Sequence, residues 1–315
     1  MDLISLHYFQ ELSKDLNMTK TAERLYISQQ TLSNHIQRLE QYYNAPLFYR
    51  KPSLSLTCAG EFVLGFAQVM EKEERNLKDI LSDIERQERG TLRVGASTVR
   101  SIQILPDFHK KYPRVSVSYE DGRAFQLEKK ILNGELDFAI AFSKEYHPDL
   151  IEHEFLQDPV YLCVPEGLLQ QYYSPEEIQA VKARATEDVG LEDFARLPFS
   201  MMDTRLGRLL QERFKRAGIR PNVFFTSPSS SQIMPLCAMG VTACFATHMA
   251  LLSHLDQLGT GVNIFPLLEG NGPMTQSLSL LRHRQRYLTH FSKYFMELLF
   301  ETTARMEQVQ IAHIV

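Results

Sequence analysis

The segment "SQQTLSNHIQRLEQYY", Ser28 to Tyr43, constrains this chain more than any other stretch. On a helical wheel Leu32, Ile36, Leu39 and Tyr43 share one side. Gln30, Asn34, Gln37 and Arg38 lie opposite, flanked by Thr31 and His35. Every outward side chain donates or accepts hydrogen bonds, and none is a carboxylate. A helix seated in the DNA major groove needs such a face, because amides and guanidiniums match base edges while carboxylates repel phosphates. A solvated polar face can look the same, so the neighbouring segments decide. Ser28 is a good N-cap, and "YIS" before the helix reads as a tight turn. An earlier short helix, capped by Asn17, turns Ala22 and Leu25 inward, and the small Ala22 lets two helices cross closely. Before that, "LISLHYFQELSKDL" carries Leu6, Phe9, Leu12 and Leu16 at helical spacing. Asn44 tolerates left-handed backbone after the key helix, and Pro46 prevents continuation. "LFYRKPSLSLT" then alternates as a short hairpin or wing. Together these features point toward a helix-turn-helix.

From about Gly60 to Gln87 one long helix is expected. Val63, Phe66, Met70, Leu77, Leu81 and Ile84 recur at three- and four-residue steps, and the opposite face is charged. A helix of that length with one apolar seam calls for a partner helix, and Gly90 ends it. Beyond it, strands such as "TLRVGAS", "LDFAIAF" and "VTACFAT" alternate with helices such as "FQLEKKILNG" and "RLGRLLQERFKRAG". That alternation predicts parallel sheets with helices on both faces. Two successive sets predict two lobes, with a crevice at the strand carboxyl ends where ligands bind.

Composition narrows the class. The 315 residues carry a net charge of −4, so nucleic-acid binding must be local. No apolar run approaches the roughly 20 residues that span a bilayer. The start, "MDLISLHYFQEL", does not read as a signal peptide, so a cytoplasmic location is expected. Cys58, Cys163, Cys237 and Cys244 are scattered without a CxxC, which fits reduced thiols. Cys237 and Cys244 lie near His248 and His254, but the spacings match no zinc pattern. No GxSxG, phosphate-binding Gly loop or HExxH is present. Catalysis, a metal and a cofactor are therefore not expected.

The same segments resemble LysR-type transcriptional regulators. "TAERL" (Thr21 to Leu25), "ISQQTLS" (Ile27 to Ser33), "IQRLE" (Ile36 to Glu40) and "PLFYR" (Pro46 to Arg50) match that family's pattern in order and spacing. "LSLTCAGEFVL" resembles its lead-in to the linker helix, and "LPDFHKKYPRVSV", "ILNGELDFAIAF" and "LCAMGVTACF" resemble its effector domain more loosely. The chain departs at Gln30, where the family has Pro, at Asn34 and His35, where Arg-Gln is frequent, and at Asn44, where Gly is usual. A segment over about 166–190 is longer than the family's and reads as partly helical.

The resemblance implies a mixed α+β and α/β architecture. It consists of a winged helix-turn-helix over 1–59, a linker and dimerisation helix over 60–90, and a periplasmic-binding-protein-like effector domain over 91–305. Lobe I would comprise about 91–160 and 268–305, and lobe II about 161–267. It implies a sequence-specific regulator that binds double-stranded operator DNA, self-associates as a dimer or tetramer, and answers to a small polar or anionic effector between the lobes. DNA contacts are expected from Ser28, Gln29, Gln30, Thr31, Ser33, Asn34, His35, Arg38, Arg50 and Lys51. Effector contacts are expected from Ser97, Thr98, Phe142, Ser200, Met202 and Ser227, where strand ends meet helix starts. For Asp137, in "GELDFAIAF", the resemblance implies a structural, capping or turn-forming role and not that of a catalytic acid. A solute-binding protein without DNA recognition is the rival reading, and it would lack the recognition helix.

Overall fold

A computed structural model describes residues 2–51, 53–84, 89–96, 103–142, 146–184, 190–259, 261–270, 272–309 and 311. Three helices open the chain: α1 (Leu3–Asp15), α2 (Met18–Arg24) and α3 (Gln29–Tyr43). Each starts on a side-chain cap, in which Asp2, Asn17 and Ser28 accept from the amides of Ser5, Lys20 and Thr31. Leu6, Phe9, Leu12, Ala22, Leu32, Ile36 and Leu39 close a small core. Full burial of each large apolar side chain stabilises by about 1.5–3 kcal/mol. Leu16 departs from the expected stripe: it ends α1 in left-handed geometry, φ 47°, and is exposed. Asn44 ends α3 at φ 49°, a conformation that an Asn side chain tolerates.

The wing is a minimal hairpin, β1 (Phe48–Tyr49) against β2 (Ser55–Leu56). Thr57 then fixes the start of α4 (Cys58–Ile84): its hydroxyl donates to the Pro46 carbonyl at 2.7 Å and accepts from the Gly60 amide at 2.9 Å. Gly60 is required there, because a Cβ would collide with the Leu47 carbonyl. This is the physical content of the Thr-Cys-Ala-Gly motif: helix and wing touch backbone to backbone.

The remainder is built on a mixed sheet. In chain order its elements are β3 (Gly90–Ala96), α5 (Leu105–Lys111), β4 (Val115–Asp121), α6 (Ala124–Leu132), β5 (Phe138–Ala141) and β6 (Leu150–Pro165). Next come α7 (Glu166–Tyr172), α8 (Pro175–Arg184), β7 (Pro198–Met202), α9 (Arg205–Arg216), β8 (Asn222–Ser227), α10 (Ser230–Ala238) and β9 (Ala243–Thr247). The last are α11 (His248–Leu258), β10 (Val262–Pro266), β11 (Leu268–Glu269), β12 (Gly272–Pro273), β13 (Thr275–His283) and α12 (His290–Glu307).

Parallel pairing holds within each lobe, β4-β3-β5 in one and β9-β7-β8 in the other. The joint between them does not follow the parallel expectation. β6 and β13 run antiparallel from Leu150 to Pro159, and β6 continues into lobe II against β9 and β10. A strand pair shared by both lobes is what connects them. Separate cores fill the lobes, around Phe108, Phe138 and Phe295 in lobe I and around Phe199, Phe214 and Phe245 in lobe II. The long segment after β6 forms α7 and α8, which bury Leu168, Leu169, Ile178 and Val181 in lobe II.

Candidate nucleic-acid interface and effector cleft

The acid-free face of α3 is built from its cap outward. Ser28 Oγ accepts from the Thr31 amide at 3.0 Å and lies 2.8 Å from the Thr31 hydroxyl. Gln30 Nε2 donates to Asn34 Oδ1 at 3.0 Å, so two amides are aligned one turn apart. Gln29, Gln30, Thr31, Asn34, Gln37 and Arg38 are all exposed, and Ser33 is half-buried. Arg50 is exposed but stands 3.2 Å from Glu40, whose carboxylate also accepts from the amides of Leu47 and Phe48. Glu40 therefore holds the wing to α3. Lys51 is exposed.

His35 departs from the expected set. Its Nδ1 lies 2.8 Å from Ser5 Oγ, and its ring packs edge-on to Tyr8 at 4.9 Å. It faces α1, because position 35 flanks the apolar stripe rather than the polar face. Tyr26 was missed. It sits in the turn before α3 at φ 56° and is 96% exposed.

α4 carries two apolar faces, not one. Val63, Leu64, Ala67 and Met70 pack into the helix-turn-helix core. Phe62, Phe66, Val69, Leu77, Leu81 and Ile84 form a neighbouring exposed stripe, with Phe62 at 78% exposure. The expected seam thus loses Val63 and Met70 to the chain's own core and gains Phe62 and Val69.

A third face of α4 grips lobe I. Arg286, in the loop before α12, donates through Nη2 to Asp79 at 2.5 Å and to Asp137 at 2.7 Å. Asp137 also accepts from the Arg93 amide at 2.8 Å. Its structural role is therefore to anchor β3 and Arg286 together, not to cap a helix. Lys72 Nζ stands 3.0 Å from His283 Nε2 and donates to the Leu132 carbonyl. Asp83 accepts from the Tyr287 hydroxyl and the His290 amide. Burial pushes the Asp79 carboxyl up, against the pull of Arg286. Burial opposes ionisation of Asp83 too, but hydrogen bonds from His290 and Tyr287 prevail and hold it down. Sequence reading missed this network, since no local motif links Lys72, Asp79 and Asp83 to a loop some two hundred residues away.

The expected effector residues scatter in environment. Ser97 and Thr98 lie outside the described residues. Phe142 and Met202 are half-buried at strand ends, packed against the lobe cores. Ser227 is buried, where its Oγ donates to Gln232 Oε1 and accepts from the Ser229 amide at 3.1 Å. Ser200 is only 1% exposed and shares a 2.7 Å hydrogen bond with Thr242 inside lobe II, so the structure removes it from any lining. Ser200 sits on an interior strand, β7 between β8 and β9, where Phe199 and Met201 on either side of it are equally buried. Gly207 lets α9 start against the Met202 carbonyl, which a Cβ would strike. Among the described residues no group of three or more His, Cys, Asp or Glu is arranged to hold a metal ion. No helix there is long and apolar enough to cross a membrane.

Comparison with known proteins extends over both halves. A family model described as "Bacterial regulatory helix-turn-helix protein, lysR family" matches residues 3–61. A second, "LysR substrate binding domain", matches residues 85–304. The transcriptional regulator CysB of Haemophilus influenzae is 26% identical over 97% of this chain and 94% of its own length. Among solved structures, full-length CbnR complexed with its target DNA has 18% identity and a TM-score of 0.62, covering 97% of this chain and 100% of that one. Full-length OxyR from Pseudomonas aeruginosa has 20% identity and a TM-score of 0.67, covering 96% and 97%.

Proposed function

This chain belongs to the LysR family of bacterial helix-turn-helix transcriptional regulators, and from that premise we propose how its own residues divide the work. Gln29, Gln30, Thr31, Asn34, Gln37 and Arg38 read base edges in the major groove. Ser28 and Ser33 shape the helix and its approach to the backbone, and Lys51 and Arg50 meet phosphates. The observation that carries this reading is the exposed, carboxylate-free face of a capped helix. A solute-binding protein without DNA recognition is not favoured, since the matched helix-turn-helix spans residues 3–61.

The exposed stripe of α4 pairs with the same helix of a second copy, which places two recognition helices on a pseudo-palindrome. Residues 1–59 form the DNA head, 60–90 the linker and 91–305 the effector domain. A small polar or anionic effector sits between the lobes, against Ser97, Thr98, Phe142 and Met202, with Ser227 fixing the wall behind it. Binding shifts the relative placement of the two heads. The protein acts in the cytoplasm, where its operator is, and it binds its effector without transforming it.

Selection of bound fragments from a randomised duplex library, followed by footprinting, tests the DNA reading. Two half-sites about one or two helical turns apart, protected in the major groove, are expected. Recovery of fragments with no shared sequence would remove it.

A further inference from the structure

A cavity of about 480 Å³ opens between α9 of lobe II and the segment from Leu268 to Ser277 that leads into β13. None of Phe142, Ser200, Met202 or Ser227 lines it. Its size is that of a small-molecule site.

One wall is the face of α9 that presents Arg205, Leu209, Arg213 and Arg216 on successive turns. Among the described residues no carboxylate pairs with any of these three arginines. Elsewhere in the lobe Arg184 and Arg196 are each paired, with Asp193 and Glu177. Like charges stacked along one helix repel one another unless something opposite is supplied. Glu212 and Glu269 also line the cavity, which leaves the lining one positive charge in excess. Arg213 is already oriented: Nη1 donates to the Leu268 carbonyl at 2.5 Å. A guanidinium held in place loses little freedom when it binds a planar or tetrahedral oxyanion through its remaining donors.

The opposite wall adds two things. Leu268 and Met274, with Leu209, supply apolar surface for a carbon skeleton. Gln276, 6% exposed, is on β13 and faces Asp158 of β6, in the strand pair that joins the lobes. An occupant would therefore press on the joint itself.

We infer that this cavity is a second ligand site, for a small organic molecule bearing two oxyanion groups, phosphate or carboxylate, and that its occupancy is communicated through β13 to the lobe joint. The inference does not depend on what binds between the lobes.

Titration calorimetry of the full chain with pyrophosphate, at fixed ionic strength, is the test. The DNA head is a competing anion site, so Arg38→Gln serves as the control. Wild type and Arg38→Gln should each bind one pyrophosphate per chain. Arg205→Gln/Arg216→Gln should weaken binding at least tenfold while operator affinity without pyrophosphate stays unchanged. Arg205→Lys/Arg216→Lys keeps the charge but not the planar fork and should bind more tightly than the Gln pair and more weakly than wild type, with circular dichroism and melting temperature unchanged in both to exclude a folding artefact. Unaltered affinity in both double variants, loss confined to Arg38→Gln, or no binding to wild type at millimolar pyrophosphate would each overturn the inference.

Discussion

Arg286 and Asp79 stand 2.5 Å apart, and the same Nη2 reaches Asp137 at 2.7 Å. The pair ties the linker helix to lobe I within one chain. Arg286 is almost wholly buried, and its Nη1 has no hydrogen-bond partner among the described residues. Such a charge is held by its two carboxylates and by little else. A movement of lobe I must therefore carry α4 with it or break this contact.

Arg286→Met should consequently cost about 3–5 kcal/mol, because it leaves two carboxylates facing each other in a largely dry site. Arg286→Lys should cost less, since it keeps the charge but not the forked geometry. Urea denaturation of the three proteins decides the matter. A loss under about 1 kcal/mol for Arg286→Met would mean that the site is wet and the pair is ordinary surface electrostatics.

His283 should make the same junction sensitive to pH. Burial, and then the neighbouring Lys72, holds its imidazole below the ordinary value of about 6.5; Arg286 adds to this, while Asp149 and Glu73 oppose it. A group with a depressed folded pKa binds its proton more weakly in the fold than in the unfolded chain. Its contribution is thus present above about pH 6.5 and drains away as pH falls to the folded value. His283→Gln should flatten the stability profile across that window. A ring titration by NMR with a midpoint at or above 6.5 would reverse the sign.

Much of the DNA head was legible because its signals are local. Caps at Asn17 and Ser28, the stop at Asn44 and Pro46, and the stripe Leu32, Ile36, Leu39 all act within one or two helical turns. His35 was misplaced because a residue flanking the stripe can face either way, and its partner Ser5 is thirty residues distant. The first half of β6 was not read as a strand: "IEHEFLQD" mixes charged and apolar residues because both of its faces are partly exposed. With it went the antiparallel joint between the lobes. The apolar faces of α4 were merged into one, since periodicity alone does not say which neighbour each face meets.

Asn34 and His35 should separate recognition from stability. Asn34→Ala should change preference at one base pair by roughly 1–3 kcal/mol if its amide contact is bidentate. His35→Ala should leave the preferred bases alone and lower the stability of the head, since it removes the contact with Ser5 and the edge of Tyr8. Lys51→Ala should weaken all sequences alike and lower the salt slope by about one. Titrations on a library of sites at two salt concentrations resolve the three. A uniform loss for Asn34→Ala would move that residue from base edge to backbone.

The two apolar faces of α4 should respond differently to substitution. Leu77 is exposed and touches none of the chain's own cores, whereas Ala67 is buried in the core of the DNA head. If the exposed stripe is the seam between two copies, Leu77→Glu puts a charge into an apolar contact twice, once from each chain, because a two-fold interface is self-complementary. The folded protomer should persist with its circular dichroism intact, while sedimentation shifts to the monomer and operator affinity drops. Ala67→Leu should instead overpack the head and lower its melting temperature without a change in assembly. Wild-type sedimentation for Leu77→Glu would show that the exposed stripe meets something other than a second copy.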